Sequence, residues 1–252
     1  LSVSVSLFRQ EQSAHFLLRM TPKKQLADSS ASANAKQVLT DVMESAPDAF
    51  VVTDLTGVKT TEAFKVAARN YTIQKVEGVP QRTVEPPAGQ LQRIQSDAAL
   101  VSQARRLVTD KTDFLSGFIK PLDGPITGVY GSQRFYNGVP KSPHYGLDYA
   151  APTGTIVKAP AAGVVRMAHD DLFYSGGTLI IDHGHGLSSS FLHLSEILVE
   201  EGHRVQQAEP IARVGSTGRA TGPHLDWRMN WLNQRIDPAL VLESFPAQSP
   251  AQ

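Results

Sequence analysis

The sequence has no cysteine among its 252 residues. That absence excludes a Cys-ligated zinc ribbon, a thiol nucleophile and a disulfide scaffold. Any transition-metal site must therefore be assembled from His, Asp and Glu. Net charge is lacking too, since 24 Lys and Arg balance 24 Asp and Glu. The chain as a whole thus offers nucleic acid or an anionic membrane no global attraction, a local basic patch stays open, and nucleic acid is not expected as a partner. Long apolar runs are missing: Thr178–Ile181 falls far short of the roughly 20 residues a membrane helix needs. What is present is a composition 41% hydrophobic and 19% charged, which supports a sizeable core and argues against wholesale disorder. The length suits one large domain or two ordinary ones. The chain opens at Leu1 without a methionine and reads as a mature or trimmed fragment.

Val3, Val5 and Leu7 alternate with Ser2, Ser4 and Ser6, the period of a half-buried strand. His15–Met20, Ala49–Thr53 and Ala63–Val76 also read as strands. Ser29–Ala35 reads as a loop, and Ala35, Val38, Leu39, Val42 and Met43 repeat at helical spacing. Residues 1–85 are therefore expected to form a small β-rich accessory domain without chemistry of its own. Pro80, Pro86 and Pro87 mark its end. Leu91, Ile94, Ala98, Val101, Ala104 and Val108 then trace one apolar stripe of a connecting helix of roughly six turns, in a linker over 86–112. Arg93, Gln95, Arg105 and Arg106 should face water. From Phe114 the texture changes to short apolar strands between Gly/Pro/Asp turns: Ile156–Ala159, Gly163–Ala168, Thr178–Asp182, Leu187–His193 and Ile211–Val214. That density predicts a mainly β fold with an antiparallel β domain over 113–243, followed by a tail over 244–252.

Chemistry concentrates in three stretches of that domain. Over His224–Trp231 the alternation sets His224, Asp226, Arg228 and Asn230 on one face and Leu225, Trp227, Met229 and Trp231 on the other. A strand in this register sinks an apolar ladder into the core and aims His and Asp at one cleft. His144 and Asp148 are four apart, but Pro143 and Gly146 argue against a helix, so the pair flanks a turn entering a strand. A third histidine, His193, sits in the apolar run Phe191–Ser195. Zinc accepts imidazole nitrogen and carboxylate oxygen, and catalytic sites use three protein ligands and leave one position open. Arg134 and Tyr136 precede the first motif and are placed near the groove by proximity alone. His183 and His185, in a Gly-rich turn, are weighed as a second metal site and given a minor chance against exposed turn residues. Gly215–Gly222 lacks the Gly-Lys-Ser/Thr ending of a phosphate loop.

The segments Pro143–Asp148, Ala151–Thr155, Ile181–Gly184, Leu192–Ser195 and Gly215–His224 occur in this order and resemble the lysostaphin/LytM family of zinc endopeptidases. Those enzymes cleave peptide cross-links or stem peptides of bacterial peptidoglycan. The resemblance covers about Ile119 to Leu240. It implies an antiparallel β domain of the LytM type with a narrow open groove, one zinc ion per chain (another divalent metal being the alternative), and an exported protein of the periplasm or cell envelope. It makes His144 and Asp148 the first two metal ligands, and His193 and His224 catalytic histidines. The third ligand in the family pattern is a histidine two positions after His224, where this chain carries Asp226. With two carboxylates the ligand set cancels a divalent charge, which implies weaker polarisation of a carbonyl and more tolerance for manganese. Beside the hydrolase stand two alternatives: a non-hydrolytic relative that activates or tethers another cell-wall hydrolase, and a plain envelope-binding module.

Overall fold

In a computed structural model the described residues are 2–10, 13–21, 49–53, 59–63, 71–232 and 234–247, with side chains described from 71 onward. The helical repeat over Ala35–Met43 and the loop over Ser29–Ala35 lie outside them. The chain divides into two compact units, Leu1–Asn70 and Tyr71–Gln252. In the first, β1 (Ser2–Gln10), β2 (Ser13–Thr21), β3 (Ala49–Thr53) and β4 (Lys59–Ala63) form a sheet in that order. The β2–β3 pairing is parallel and the other two are antiparallel.

The second unit begins with β5 (Ile73–Val76), the short helix α1 (Gln81–Val84) and the helix α2 (Leu91–Arg105). Its strands continue as β6 (Ile126–Gly128), β7 (Gln133–Tyr136), β8 (Val139–Pro140), β9 (Leu147–Ala150), β10 (Ile156–Lys158) and β11 (Gly163–Leu172). Then come β12 (Gly176–Gly184), β13 (Leu187–Ile197), β14 (Arg204–Val205), β15 (Pro210–Val214), β16 (His224–Trp231) and β17 (Gln234–Ile236), with α3 (Pro238–Ser244) last. The main sheet is antiparallel and runs β14-β11-β12-β13-β16-β9-β6, with β10, β15 and β17 attached at its side. A small sheet β5-β7-β8 includes a parallel β5–β7 pair.

The alternation over His224–Trp231 is realised as read. Leu225, Trp227 and Met229 are fully buried with Leu147, Tyr149, Phe191 and Val214 in the main core, while Asp226 and Arg228 face the opposite side. Asp237 caps α3 by accepting from the Ala239 N–H, with Pro238 at the first helical position. Helix α2 departs from its expected stripe. Leu91 is half exposed, and the helix ends before Val108. Val101 and Ala104 pack on Met167, Leu172 and Ile180 of β11 and β12. Arg105, expected in water, instead turns inward and donates to Ser190 Oγ on β13 at 2.9 Å.

Candidate metal centre

Cross-strand register builds the centre. β16 pairs with β9 so that Asp226 lies directly opposite Asp148, and with β13 so that Asp226 lies opposite Leu192. Two carboxylates on one face at a direct pairing position repel each other, and their neutralisation is visible. Arg134 Nη2 donates to Asp148 Oδ2. Arg228 donates to Asp226 Oδ2 through Nη2 at 2.5 Å and through Nε at 3.0 Å, with Oδ1 also at 3.0 Å. Each acid therefore gives its Oδ2 side to an arginine and turns Oδ1 toward His144.

His144 comes from the extended segment before β9. Its Nε2 stands 3.3 Å from Asp148 Oδ1 and 3.5 Å from Asp226 Oδ1. Metal–ligand bonds of 2.0–2.2 Å in a tetrahedron place ligand atoms about 3.3–3.6 Å apart, so these separations suit one small cation. His144, Asp148 and Asp226 are all buried and form the one His/Asp/Glu cluster of this kind among the described residues. Neither ring nitrogen of His144, nor Asp148 Oδ1, has a hydrogen-bond partner. Buried polar atoms are seldom left so, and each costs about 1–3 kcal/mol. A divalent cation would satisfy His144 Nε2 and Asp148 Oδ1 together. The surroundings are cut to fit: a Cβ on Gly146 would overlap Asp226 Oδ1 and come within 2.9 Å of His144 Nε2, and one on Gly128 would overlap the Arg134–Asp148 pair.

Beside these ligands stand His193 and His224, ring centroids 4.8 Å apart. His193 Nδ1 faces the Thr217 carbonyl at 2.8 Å and His224 Nδ1 the Gly222 carbonyl at 2.9 Å. A carbonyl only accepts, so both rings carry the proton on Nδ1 and leave Nε2 available. The strand pattern alone would put His193 on the core face next to Phe191. Its φ of +64° breaks the alternation, a strained conformation worth about 1–3 kcal/mol, and His193 joins Leu192 in lining a cavity beside the ligands. The loop over Gly215–Gly222 supplies both carbonyls, which is its visible role.

Burial pushes the His144 imidazole down to about 3, helped by Arg134 and Arg228 and opposed by Asp226. Burial, then His224, likewise brings His193 to about 3. Burial and the facing Asp226 raise Asp148 to about 6 against the pull of Arg134. Burial resists ionisation of Asp226 as well, but Arg228 outweighs it and holds that carboxyl well below the usual range. In the metal-free protein these shifts set the pH dependence of stability. Between about pH 4 and 6 the unfolded chain protonates His144 and His193 while the fold does not, whereas the fold alone keeps a proton on Asp148. The unfolded state then holds a net excess of one proton, and His183, also lowered by burial, adds to it. Stability is expected to fall by at least about 1.4 kcal/mol per pH unit as pH drops through that window. Thermal unfolding in chelator at pH 4.5 and 7 measures it; a flat or inverted profile would contradict the assignment.

Two further histidines resolve simply. His183 is fully buried, donates from Nδ1 to the Ala162 carbonyl and accepts from Ser189 Oγ, both at 2.8 Å. It is a satisfied core residue, and with His185 it forms no metal-type cluster. His203 pairs with Glu209 at 2.9 Å. Sequence reasoning placed Arg228 on the right face but did not pair it with Asp226, although an Asp-x-Arg on one strand face is the signal. It left Arg134 beside the groove without its carboxylate, and Arg105 outside the site altogether.

The sequence pattern of Peptidase family M23 matches residues 142–238. A crystallised chain from Pseudomonas aeruginosa assigned to peptidase M23 is 34% identical, with a TM-score of 0.57, over 75% of this chain and 70% of its own. Peptidoglycan DD-endopeptidase ShyB of Vibrio cholerae is 38% identical over 137 residues, 54% of this chain and 28% of that protein. ShyA of the same organism, also a peptidoglycan DD-endopeptidase, is 42% identical over 88 residues, 35% of this chain and 20% of that protein. The chain thus spans under a third of the length of these two relatives.

Proposed function

Because the chain belongs to peptidase family M23, we propose that residues 113–243 act as a zinc-dependent endopeptidase on the peptide cross-links or stem peptides of bacterial peptidoglycan. The observation that carries this reading is the convergence of His144 Nε2, Asp148 Oδ1 and Asp226 Oδ1, spaced at 3.3 and 3.5 Å and buried, beside two histidines with Nε2 available. When bound, zinc supplies Lewis-acid polarisation of a carbonyl and acidification of a water. His144, Asp148 and Asp226 would hold it.

The other steps belong to the chain itself. His193 accepts a proton at Nε2 from the attacking water, while its Nδ1–H stays on Thr217 and keeps the ring in register. His224, fixed the same way on Gly222, faces the same reacting centre and supports the oxyanion or returns the proton to the leaving amine. Arg134 and Arg228 favour the ionised form of the two aspartates and aim their Oδ1 atoms. They also change the charge balance expected from the ligands alone. Two carboxylates, two guanidiniums and a neutral imidazole sum to zero, so a divalent ion would keep its full charge for catalysis. The same arginines compete with the ion for the aspartates, which is expected to weaken its binding.

Peptidoglycan as substrate would place the protein outside the cytoplasm, in the periplasm or cell envelope. No helix among the described residues is long and apolar enough to cross a membrane. The test is release of soluble muropeptides from purified sacculi by the zinc-loaded chain, followed by mass spectrometry. Release is expected, and both chelator and His144→Ala should reduce it more than about 100-fold. If the zinc-loaded protein creates no new amino termini, the hydrolase reading is wrong.

A further inference from the structure

A cavity of about 290 Å³ opens beside the metal-type ligands, with His193 and Asp226 in its wall. Five arginines line it: Arg105, Arg134, Arg219, Arg228 and Arg235. The carboxylates of the wall do not balance them. Arg228 is taken by Asp226 and Arg134 by Asp148, while Asp97 accepts the Phe173 N–H at 2.7 Å. Among the described residues, Arg105, Arg219 and Arg235 have no ion pair.

What these three touch is neutral. Arg105 donates to Ser190 Oγ through Nη2 at 2.9 Å, and its Nε is buried with no acceptor. Arg235 donates to Asn230 Oδ1 at 2.9 Å. The Arg219 guanidinium carbon lies 4.7 Å from the ring centroids of both Tyr136 and Tyr174, a cation–π contact that brings no opposing charge. Burial, then Arg235 and Arg228, brings Arg105 down to about 9. Burial and Arg228 bring Arg235 down to about 10. Cations held together at such cost, with donors to spare, suit an anion that arrives from outside. Guanidinium forks select planar, two-oxygen anions.

We propose that Arg105, Arg219 and Arg235 form a carboxylate-binding subsite that anchors a free carboxylate of a peptide whose nearby amide lies at His193 and the metal ligands. The proposal rests on the hydrolase reading for the position of that amide, though not for the binding itself. It makes the substrate class an acidic peptide end rather than a neutral bridge. The cavity volume admits a short peptide terminus. Arg219 and Arg235 come from the family-matched stretch 142–238, but Arg105 comes from α2 ahead of it. The helix read as a connector thus contributes to selection of the substrate.

Calorimetric titration of the full chain tests this with three probes: an N-acetylated D-Ala-D-Ala peptide with a free C-terminal carboxylate, its C-terminal amide, and acetate. The free carboxylate should bind at least about tenfold tighter than the amide, the worth of one charge-assisted hydrogen-bond pair. Arg219→Gln and Arg105→Gln should each erase most of that preference, and Arg204→Gln, in an ion pair with Asp113 outside the cavity wall, should keep it. Equal affinity for carboxylate and amide on the unsubstituted chain would overturn the proposal even if a variant fails to fold. So would acetate binding as tightly as the peptide, or a preference that survives both substitutions. Selective binding without muropeptide release would sink the hydrolase reading and leave the subsite standing. Release without selectivity would do the reverse.

Discussion

Gly146→Ala is expected to weaken cation binding and the proposed peptidoglycan hydrolysis, each by about 10–100-fold, while the protein stays folded. Nothing in the backbone requires glycine there, since Gly146 lies outside the left-handed region. The demand is spatial. An added methyl would overlap Asp226 Oδ1 and stand 2.8 Å from Arg228 Cγ and 2.9 Å from His144 Nε2. Either the aspartate or the imidazole must yield, and both are proposed ligands. The strain of one extra methyl in a packed setting is about 1–3 kcal/mol, less than most domains can lose. Zinc affinity against a chromophoric chelator, read beside the thermal midpoint, separates the two effects. An alanine variant with undiminished zinc affinity would mean that the ion, if any, is held elsewhere.

Arg228→Met should show the second large effect, on stability. Asp226 is 1% exposed and meets Arg228 at 2.5 Å and 3.0 Å. Removing the arginine leaves a buried carboxylate beside Asp148, and breaking such a pair costs about 3–5 kcal/mol. Urea denaturation should show that loss in chelator. Adding Asp226→Asn should recover most of it, because the charge that lacked a partner is gone. Saturating zinc should also stabilise Arg228→Met more than the unsubstituted chain, since the cation then serves as the only neutraliser and no longer competes with a guanidinium. Equal stabilisation of the two proteins by zinc would mean that the cation does not contact Asp226.

How much of this was readable beforehand differs by element. Strand β16 was fully so, because period-two alternation with three large apolar residues has one burial solution. The His144–Asp148 turn was readable through Pro143 and Gly146, which deny a helix. His193 stood out as a third histidine in an apolar run and took its catalytic role from the resemblance; its orientation was not readable, since a positive φ at a non-glycine residue leaves no mark in the pattern. The arginine pairings were missed for different reasons. Arg134 reaches Asp148 from a separate strand, which only the sheet order reveals. Arg228 stands two residues from Asp226 on the same face, and a charge argument limited to ligands overlooked it. In α2, helical spacing identified the helix but not how wide a stripe the sheet would accept, so Arg105 was assigned to water.

Both tryptophans of the chain, Trp227 and Trp231, fall on β16. Trp227 is fully buried between Asp226 and Arg228 in sequence, and Trp231 donates its indole N–H to the His185 carbonyl at 3.2 Å. Intrinsic fluorescence of this protein is therefore a local signal. Its emission maximum and quenching report the one strand that carries His224 and Asp226, so titrating an ion or a peptide while exciting at the indole band watches the site without any attached dye.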